Sequence, residues 1–354
     1  MIFEKRKRLR FLGRLVVTAF LLVSMLTGCG TTGEYTLQAV EYLNQMEYDS
    51  AIEALDIAEE EGEELRQIYR IRGIAYMGKT WYAKAASCFE AANKRSDGIL
   101  RDMDYDISYY LAAAYTKNGK YSDALRVYNA IASLRPRDKE VYFLRGNAHM
   151  ALGHYEEACA DFEKAIQMAP TDYDQLIKVY EALSSFGYAE KGKTYLREVL
   201  KQQDKKMDPF VVGRIYYYLQ EYQNACLTLE QAKKNTNPDS YLYLGKAYEA
   251  TGDYNYAASV YQAYLREEGP HAGIYNQLGL CEMSRKDYVK ALDAFQSGLE
   301  LNEKDTLQVL SFNEIVAYEH LGEYEQALSL TEQYLKKYPD DLEAKREYEF
   351  LLTR

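Results

Sequence analysis

An arrangement of small and bulky residues recurs along most of the chain with a period of about 34 residues. In each copy an aromatic residue precedes an alanine by three positions, and a bulky residue follows that alanine by four. These offsets place the three side chains on one face of an α-helix. Seven copies are complete: Tyr48-Ala51-Leu55, Tyr82-Ala85-Phe89, Tyr121-Ala124-Tyr128, Tyr155-Ala158-Phe162, Tyr222-Ala225-Leu229, Tyr254-Ala257-Tyr261 and Tyr288-Ala291-Phe295. An eighth copy, Tyr324-Ala327-Thr331, departs only at its last position.

A second helix is predicted ahead of each of these, because a small residue lies twelve positions before most of the alanines. The small residues are Ala39, Gly73, Ala112, Gly146, Gly213, Gly245 and Gly279, with Ile315 as the exception. Glycines suited to a turn separate the two helices at Gly119, Gly153, Gly187, Gly252 and Gly322. Each unit is therefore predicted to be a hairpin in which small side chains let two antiparallel helices approach, while the aromatic residues fill the space beside the contact.

The pattern resembles the tetratricopeptide repeat, whose signature joins an aromatic-x-x-Leu-Gly-x-x-Tyr segment to a later Ala-x-x-x-Phe segment and a proline. Tyr241-Leu244-Gly245-Tyr248 with Ala257-Tyr261 is a nearly complete copy. The resemblance implies an all-α fold, a right-handed α-solenoid superhelix of about nine helix-turn-helix repeats over residues 34–341. We expect residues 342–354 to form a C-terminal capping helix, which terminal repeats need for solubility.

Two places depart from the repeat. Five extra residues lengthen the linker around Asn93–Asp106. The fifth unit, at about 173–206, is degenerate, because Gly192 replaces the expected alanine and Ala189 the expected tyrosine. We predict that this unit packs more loosely than the others and bends the array.

The N-terminus has the composition of a secretory signal. Basic residues between Lys5 and Arg14 precede an apolar stretch over Leu15–Leu26, which is signal-peptide length. The following Leu26-Thr27-Gly28-Cys29 resembles the lipobox of bacterial lipoproteins. The resemblance implies cleavage of residues 1–28, acylation of Cys29, and a short tether over residues 29–33. An ordinary signal peptide with an accidental cysteine, or an uncut signal anchor, are the alternatives.

This interpretation places the chain outside the cytoplasm, anchored by lipid to a bacterial membrane. The expected location is the outer face of the cytoplasmic membrane, or the periplasm or outer membrane if the cell has two membranes. The full chain has a net charge of −11, and loss of residues 1–28 removes more basic than acidic residues. Such acidity argues against nucleic acid as a partner and against electrostatic adhesion to anionic lipid.

Motifs for catalysis, metal or cofactor are missing from the sequence. The four histidines are scattered, and neither a His-Glu-x-x-His, a phosphate-binding glycine loop nor a Gly-x-Ser-x-Gly is present. Apart from Cys29, the cysteines fall singly within predicted helices and have no zinc-type spacing. We therefore expect a protein that is not an enzyme and has neither a metal site nor a cofactor.

The first helix of each repeat lines the concave face in this family, so a partner-binding groove is sought there. Helical geometry projects the residue after each small position, together with its i−4 and i+3 neighbours, onto that face. The candidate groove residues are Arg70, Tyr109, Phe143, Asn147, Met150, Phe210, Arg214, Tyr217 and Lys246. Such a row suits a peptide with apolar anchors and some acidic side chains. The alternative is that these residues pack against the neighbouring helix.

The predicted function is a membrane-anchored scaffold that binds a protein or peptide partner during envelope or cell-surface assembly. A second hypothesis follows from the 36 tyrosines, because aromatic faces stack on sugars and a glycan or peptidoglycan ligand would use them. Some tetratricopeptide proteins clamp a peptide C-terminal carboxylate with lysines and asparagines. Only Asn147 has a matching place here, so that function is not carried over.

Overall fold

The computed structural model describes residues 33–201, 207–232, 238–339 and 341–354, and these residues form α-helices without a β-strand. Residues 1–32, which include the predicted signal segment and Cys29, lie outside the described part. In chain order the helices are α1 Glu34–Asn44, α2 Tyr48–Glu60, α3 Leu65–Gly78, α4 Tyr82–Asn93, α5 Asp102–Lys117, α6 Tyr121–Leu134, α7 Lys139–Ala151, α8 Tyr155–Met168, α9 Tyr173–Ser185, α10 Ala189–Lys201, α11 Pro209–Leu219, α12 Tyr222–Ala232, α13 Pro238–Thr251, α14 Tyr254–Glu267, α15 Ala272–Ser284, α16 Tyr288–Glu300, α17 Lys304–Leu321, α18 Tyr324–Lys337 and α19 Leu342–Leu351.

The predicted hairpins are present, and a left-handed residue makes each turn. The five turn glycines have φ values between 74° and 92°, a region that glycine enters without steric cost. The turns after α1, α3, α11 and α15 instead place Met46, Thr80, Gln220 and Lys286 in the left-handed region. At every one of these turns the residue after the left-handed one donates a backbone hydrogen bond back to the first helix, as in Tyr188 N to Leu183 O at 2.8 Å.

The small residues of the first helices allow close approach of the second helices, as the sequence predicts. A Cβ added to Gly73 would lie 2.6 Å from Cε1 of Phe89, and one added to Gly146 would lie 2.7 Å from Cε1 of Phe162. Both rings are fully buried. The recurrent alanines of the second helices are also fully buried: Ala51, Ala85, Ala124, Ala158, Ala225, Ala257, Ala291 and Ala327.

The contacts divide the chain between Gly192 and Lys193 into two compact units, and the division falls within α10 of the fifth repeat. Inside each unit, successive helices pack in chain order, which is the arrangement of an α-solenoid of tetratricopeptide-like repeats. First helices of neighbouring repeats also contact one another, in the pairs α1–α3, α3–α5, α7–α9, α11–α13, α13–α15 and α15–α17. Looser packing of the fifth repeat and a bend there stay predictions.

The lengthened linker between α4 and α5 is fixed by polar contacts. The Asp104 carboxylate accepts hydrogen bonds from the Ser96 hydroxyl at 2.7 Å and from the Arg101 backbone N–H at 2.9 Å. It also forms a buried ion pair with Arg66, whose Nε donates to the carbonyl of Ala92 at 3.3 Å. A second pair, Arg101 with Asp97, is exposed and bidentate. The linker is therefore an ordered element that joins two repeats.

The chain ends in a helix that packs on the last hairpin. Asp341 caps α19, because its Oδ1 accepts hydrogen bonds from the backbone N–H groups of Glu343 and Ala344. Leu351 is buried in a cluster that includes Ile315, whereas Leu352 lies beyond the helix end and is exposed.

Candidate functional site

Within each unit the first helices of neighbouring repeats contact one another, so a concave surface is sought on them. The predicted groove residues lie on α3, α5, α7, α11 and α13, which are all first helices. Their surroundings differ between the two units, and each unit is described separately.

In the first unit, two of the predicted residues are engaged between neighbouring repeats. The Arg70 guanidinium pairs with the Asp106 carboxylate at 2.5 Å. The Tyr109 hydroxyl donates a hydrogen bond to Asp138 Oδ2 at 2.7 Å. Burial of Tyr109, together with the adjacent Asp138 carboxylate, raises the pKa of its phenol. These contacts tie α3 to α5, and α5 to the start of α7.

The remaining predicted residues of the first unit lie on α7 and present little surface. Phe143 and Met150 are buried, and the Phe143 ring lies 6.0 Å from that of Phe162. The Asn147 amide donates to the carbonyl of Phe143 one turn earlier in its own helix. Phe143 therefore packs between helices, as the alternative interpretation has it, whereas the Asn147 amide is engaged within its own helix.

In the second unit, aromatic and basic side chains from α11 and α13 meet at one surface. We define the α11–α13 surface by its six members, Phe210, Arg214, Tyr217, Tyr218, Tyr243 and Lys246. The Tyr217 ring lies 5.5 Å from both the Tyr218 and Tyr243 rings, edge to face with each. The hydroxyls of Tyr218 and Tyr243 are 2.9 Å apart and hydrogen-bonded. All six members are half-buried.

Two cations lie against these rings. The guanidinium carbon of Arg214 is 5.2 Å from the centroids of both the Phe210 and Tyr243 rings, and Lys246 Nζ is 5.8 Å from that of Tyr243. Both distances fall within the range of a cation–π interaction. The rings in turn pack on the core cluster of the second unit, which includes Leu244 and Tyr261. The core therefore supports these rings, and the surface carries two basic side chains, Arg214 and Lys246.

Four of the nine predicted groove residues meet here: Phe210, Arg214, Tyr217 and Lys246. Sequence reasoning missed the other two members, Tyr218 and Tyr243, although the Tyr243 ring is the one that the other members contact. The predicted row on α13 passed through its neighbour Leu242. Tyr243 is recognised as a member only from the contact between α11 and α13, because it is a half-buried residue of α13 that faces α11.

Three of the four cysteines in the described part of the chain have thiol pKa values shifted away from nucleophilic activation. In the described part of the chain Cys159, Cys226 and Cys281 are free and buried, and Cys88 is free and half-buried. Burial raises the pKa of Cys88 and of Cys226 to about 11, and that of Cys281 to about 12. A reactive thiol needs the opposite shift, because the thiolate is the nucleophile.

The sequence suggested that the four histidines are scattered, but the structure brings two of them together. His271 caps α15, and the His320 ring stacks on Tyr288 with centroids 4.7 Å apart. His149 and His154, however, meet across the turn between α7 and α8. Among the described residues no group of three or more His, Cys, Asp or Glu side chains is placed to hold a metal ion. None of the described helices is both long and apolar enough to cross a bilayer.

Family models described as tetratricopeptide repeat match most of the chain. Their matches cover residues 72–133, 111–179, 212–272, 242–306 and 312–341, which together exceed half of the sequence. Superkiller complex protein 3 of Homo sapiens is 21% identical over 87% of this chain and 18% of its own length. The Hsp70-Hsp90 organizing protein of Triticum aestivum is 27% identical over 51% of this chain and 34% of its own length.

Thus the chain spans about a third or less of either curated relative. A solved tetratricopeptide repeat protein from Parabacteroides merdae aligns with a TM-score of 0.42 at 15% identity, covering 70% of this chain and 97% of that one.

Proposed function

The chain belongs to the tetratricopeptide repeat family, and from that premise we propose that it is a non-enzymatic scaffold that binds a protein partner. Stacked helical repeats of this kind offer extended surfaces for recognition. The family alone does not identify a partner, because one repeat scaffold serves many functions. The site must therefore be argued from the side chains of this chain.

The observation that carries the proposal is the α11–α13 surface. Tyrosine and arginine are enriched among the residues that contribute most to binding energy at protein interfaces. A tyrosine ring offers a large contact area at a low cost in side-chain entropy. Here Tyr217 and Tyr243 are already held edge to face, so a partner would meet a preorganised surface.

The partner that fits is a peptide segment or protein surface with apolar anchors and acidic side chains. Its apolar groups would pack on the exposed parts of the rings, and its carboxylates would lie near Arg214 and Lys246. Cations raise the rate of encounter with an acidic partner more than they raise final affinity. We therefore expect association that weakens as the ionic strength rises.

Anchoring to a membrane is the second part of the proposal, and it rests on Leu26-Thr27-Gly28-Cys29. Two acyl chains on a cysteine hold a protein durably at a bilayer, which one chain does not. A scaffold tethered in this way would gather its partner at the cell envelope. Incorporation of labelled palmitate into the wild-type chain, and its loss in Cys29→Ala, tests this part separately.

The partner site is tested with a Tyr217→Ala, Tyr243→Ala double variant of the Cys29→Ala chain. Loss of a central aromatic contact costs 2 kcal/mol or more at such sites, so partner affinity should fall by about thirtyfold or more. The matched control is Tyr254→Ala with Tyr256→Ala, because both tyrosines are exposed on the second helix α14 of the same unit.

Affinity purification from solubilised envelope identifies the partner, and titration of the purified partner against both variants gives the affinities. Equal affinities for the two variants would exclude the α11–α13 surface. Retention on purified cell wall or oligosaccharide, without a protein partner, would support the glycan-binding alternative instead.

A further inference from the structure

His149 and His154 lie beside each other at the turn between α7 and α8, with their ring planes tilted by 49°. Their Nδ1 atoms are 3.4 Å apart, and the ring centroids are 5.6 Å apart. His149 belongs to the last turn of α7, and His154 immediately precedes α8. The pair is thus presented at the edge of one hairpin, with His149 half-buried and His154 exposed.

The backbone holds the pair in place. Gly153 is left-handed with φ of 78°, and the His154 backbone N–H donates to the His149 carbonyl at 2.9 Å. The same bond joins the equivalent residues of the other hairpins, including Tyr76 and Trp81, whose rings stack with centroids 5.8 Å apart. The turn therefore lets side chains at these two positions meet, as they do in the second repeat, and the fourth repeat places an imidazole at both.

The surroundings of His149 favour one arrangement of its ring. Its Nε2 lies 4.0 Å from Asp161 Oδ2, and the Asp161 carboxylate is itself held by Arg145 through two hydrogen bonds of 2.6 and 2.7 Å. A carboxylate on the Nε2 side favours a proton there, which leaves the Nδ1 lone pair for the opposite side. Metal-ligating histidines commonly donate their other ring N–H to a carboxylate, and here the Asp161 carboxylate lies on that side of the ring at 4.0 Å.

We propose that His149 and His154 chelate one divalent transition-metal ion of the zinc, nickel or copper class through their Nδ1 atoms. Imidazole nitrogens lie about 2.0–2.1 Å from a bound zinc ion, so two of them at a tetrahedral angle are separated by about 3.3–3.4 Å. The observed 3.4 Å separation matches this value. Without the ion, one Nδ1 carries a proton that the pair shares as a hydrogen bond. On binding, that ring keeps its proton by moving it to Nε2.

The charged groups around the pair are compatible with a cation. Asp161 and Glu157 both act on His149 as negative charges, opposed by Arg145. Burial of His149 lowers its pKa. The described residues supply two ligands and no third, so water or a side chain of a bound partner would complete the coordination. This inference departs from the sequence-based expectation of no metal site, and it stands independently of the α11–α13 surface.

Calorimetric titration of the full chain with zinc alone, after treatment with a chelator, tests the inference. We expect one ion per chain. His149→Asn and His154→Asn should each weaken binding by at least about tenfold, because the second ligand of a chelate binds intramolecularly. His320→Asn is the matched control, since that histidine stacks on a tyrosine elsewhere and should leave binding unchanged.

Nitrogen NMR of the histidine rings supplies a readout that does not depend on the variants. Zinc should shift the Nδ1 resonances of His149 and His154 together and leave those of His271 and His320 in place. Circular dichroism confirms that each variant is folded. Absence of zinc binding to the wild-type chain, binding that survives both single variants, or shifts confined to other histidines would overturn the proposal.

Discussion

Replacing Phe162 by alanine is expected to lower the free energy of unfolding of the first unit by about 3–5 kcal/mol. The ring is fully buried and packs on Gly146, which has no side chain because the ring occupies that space. Alanine would leave a cavity between α7 and α8, and the rigid backbone contact at Gly146 limits how far the helices can collapse into it. Urea denaturation followed by far-ultraviolet circular dichroism measures the change.

Leu134→Ala is the control for this prediction. Leu134 is a large apolar residue at the end of α6 in the same unit, but 53% of its surface is exposed. Its removal should change stability by less than about 1 kcal/mol. A loss at Phe162 no larger than the loss at Leu134 would show that the close helix contact contributes little to the fold.

Replacing Asp104 by alanine is expected to cost about 3–5 kcal/mol as well, through a different mechanism. Its carboxylate neutralises Arg66 in a buried pair and also caps the start of α5 through the Arg101 N–H. Without it the Arg66 guanidinium stays buried without its counter-charge, and the linker loses the contact to Ser96. Asp102→Ala is the matched control, because Asp102 is fully exposed two residues away and pairs only at the surface with Arg135. That control should change stability by less than about 1 kcal/mol.

The Asp104 carboxylate also makes the stability of the fold depend on pH. Burial by itself raises the pKa of Asp104, but the hydrogen bonds from Arg101 and Ser96 and the pair with Arg66 outweigh it and lower the pKa. A lowered folded-state pKa stabilises the fold above the unfolded value of about 3.9. This contribution is lost as the pH falls through the folded-state pKa. Asp104→Asn should therefore unfold with a weaker dependence on pH below about pH 4, and an unchanged acid transition would contradict the assignment.

The hairpins could be predicted from sequence because their geometry depends on side-chain size at fixed spacing. Gly146 and Phe162 are sixteen positions apart, and that spacing alone implies the contact between their helices. The turns are harder to predict from the sequence where glycine is absent. Thr80 and Lys286 adopt the left-handed conformation without the residue type that signals it, because the close packing of the flanking helices imposes the turn.

The candidate sites depend on contacts that no single helix encodes. Tyr243 joins the α11–α13 surface only because α13 packs beside α11. The His149–His154 pair is hidden in the sequence by a spacing of five, which is not a helical spacing. The turn at Gly153 brings the two rings together. Periodicity reports which residues share a helix face, and it does not report which faces meet.

Site-specific photocrosslinking tests the central claim most directly. A photoreactive residue is placed at Lys246 on the first helix α13, and separately at Leu227, an exposed residue of the second helix α12. If the first helices of the second unit bind a protein, irradiation of intact cells should crosslink the photoreactive residue at position 246 to one defined protein. The photoreactive residue at position 227 should give little or no such product. Crosslinks of equal yield from both positions, or from Lys246 to cell-wall material alone, would contradict the account.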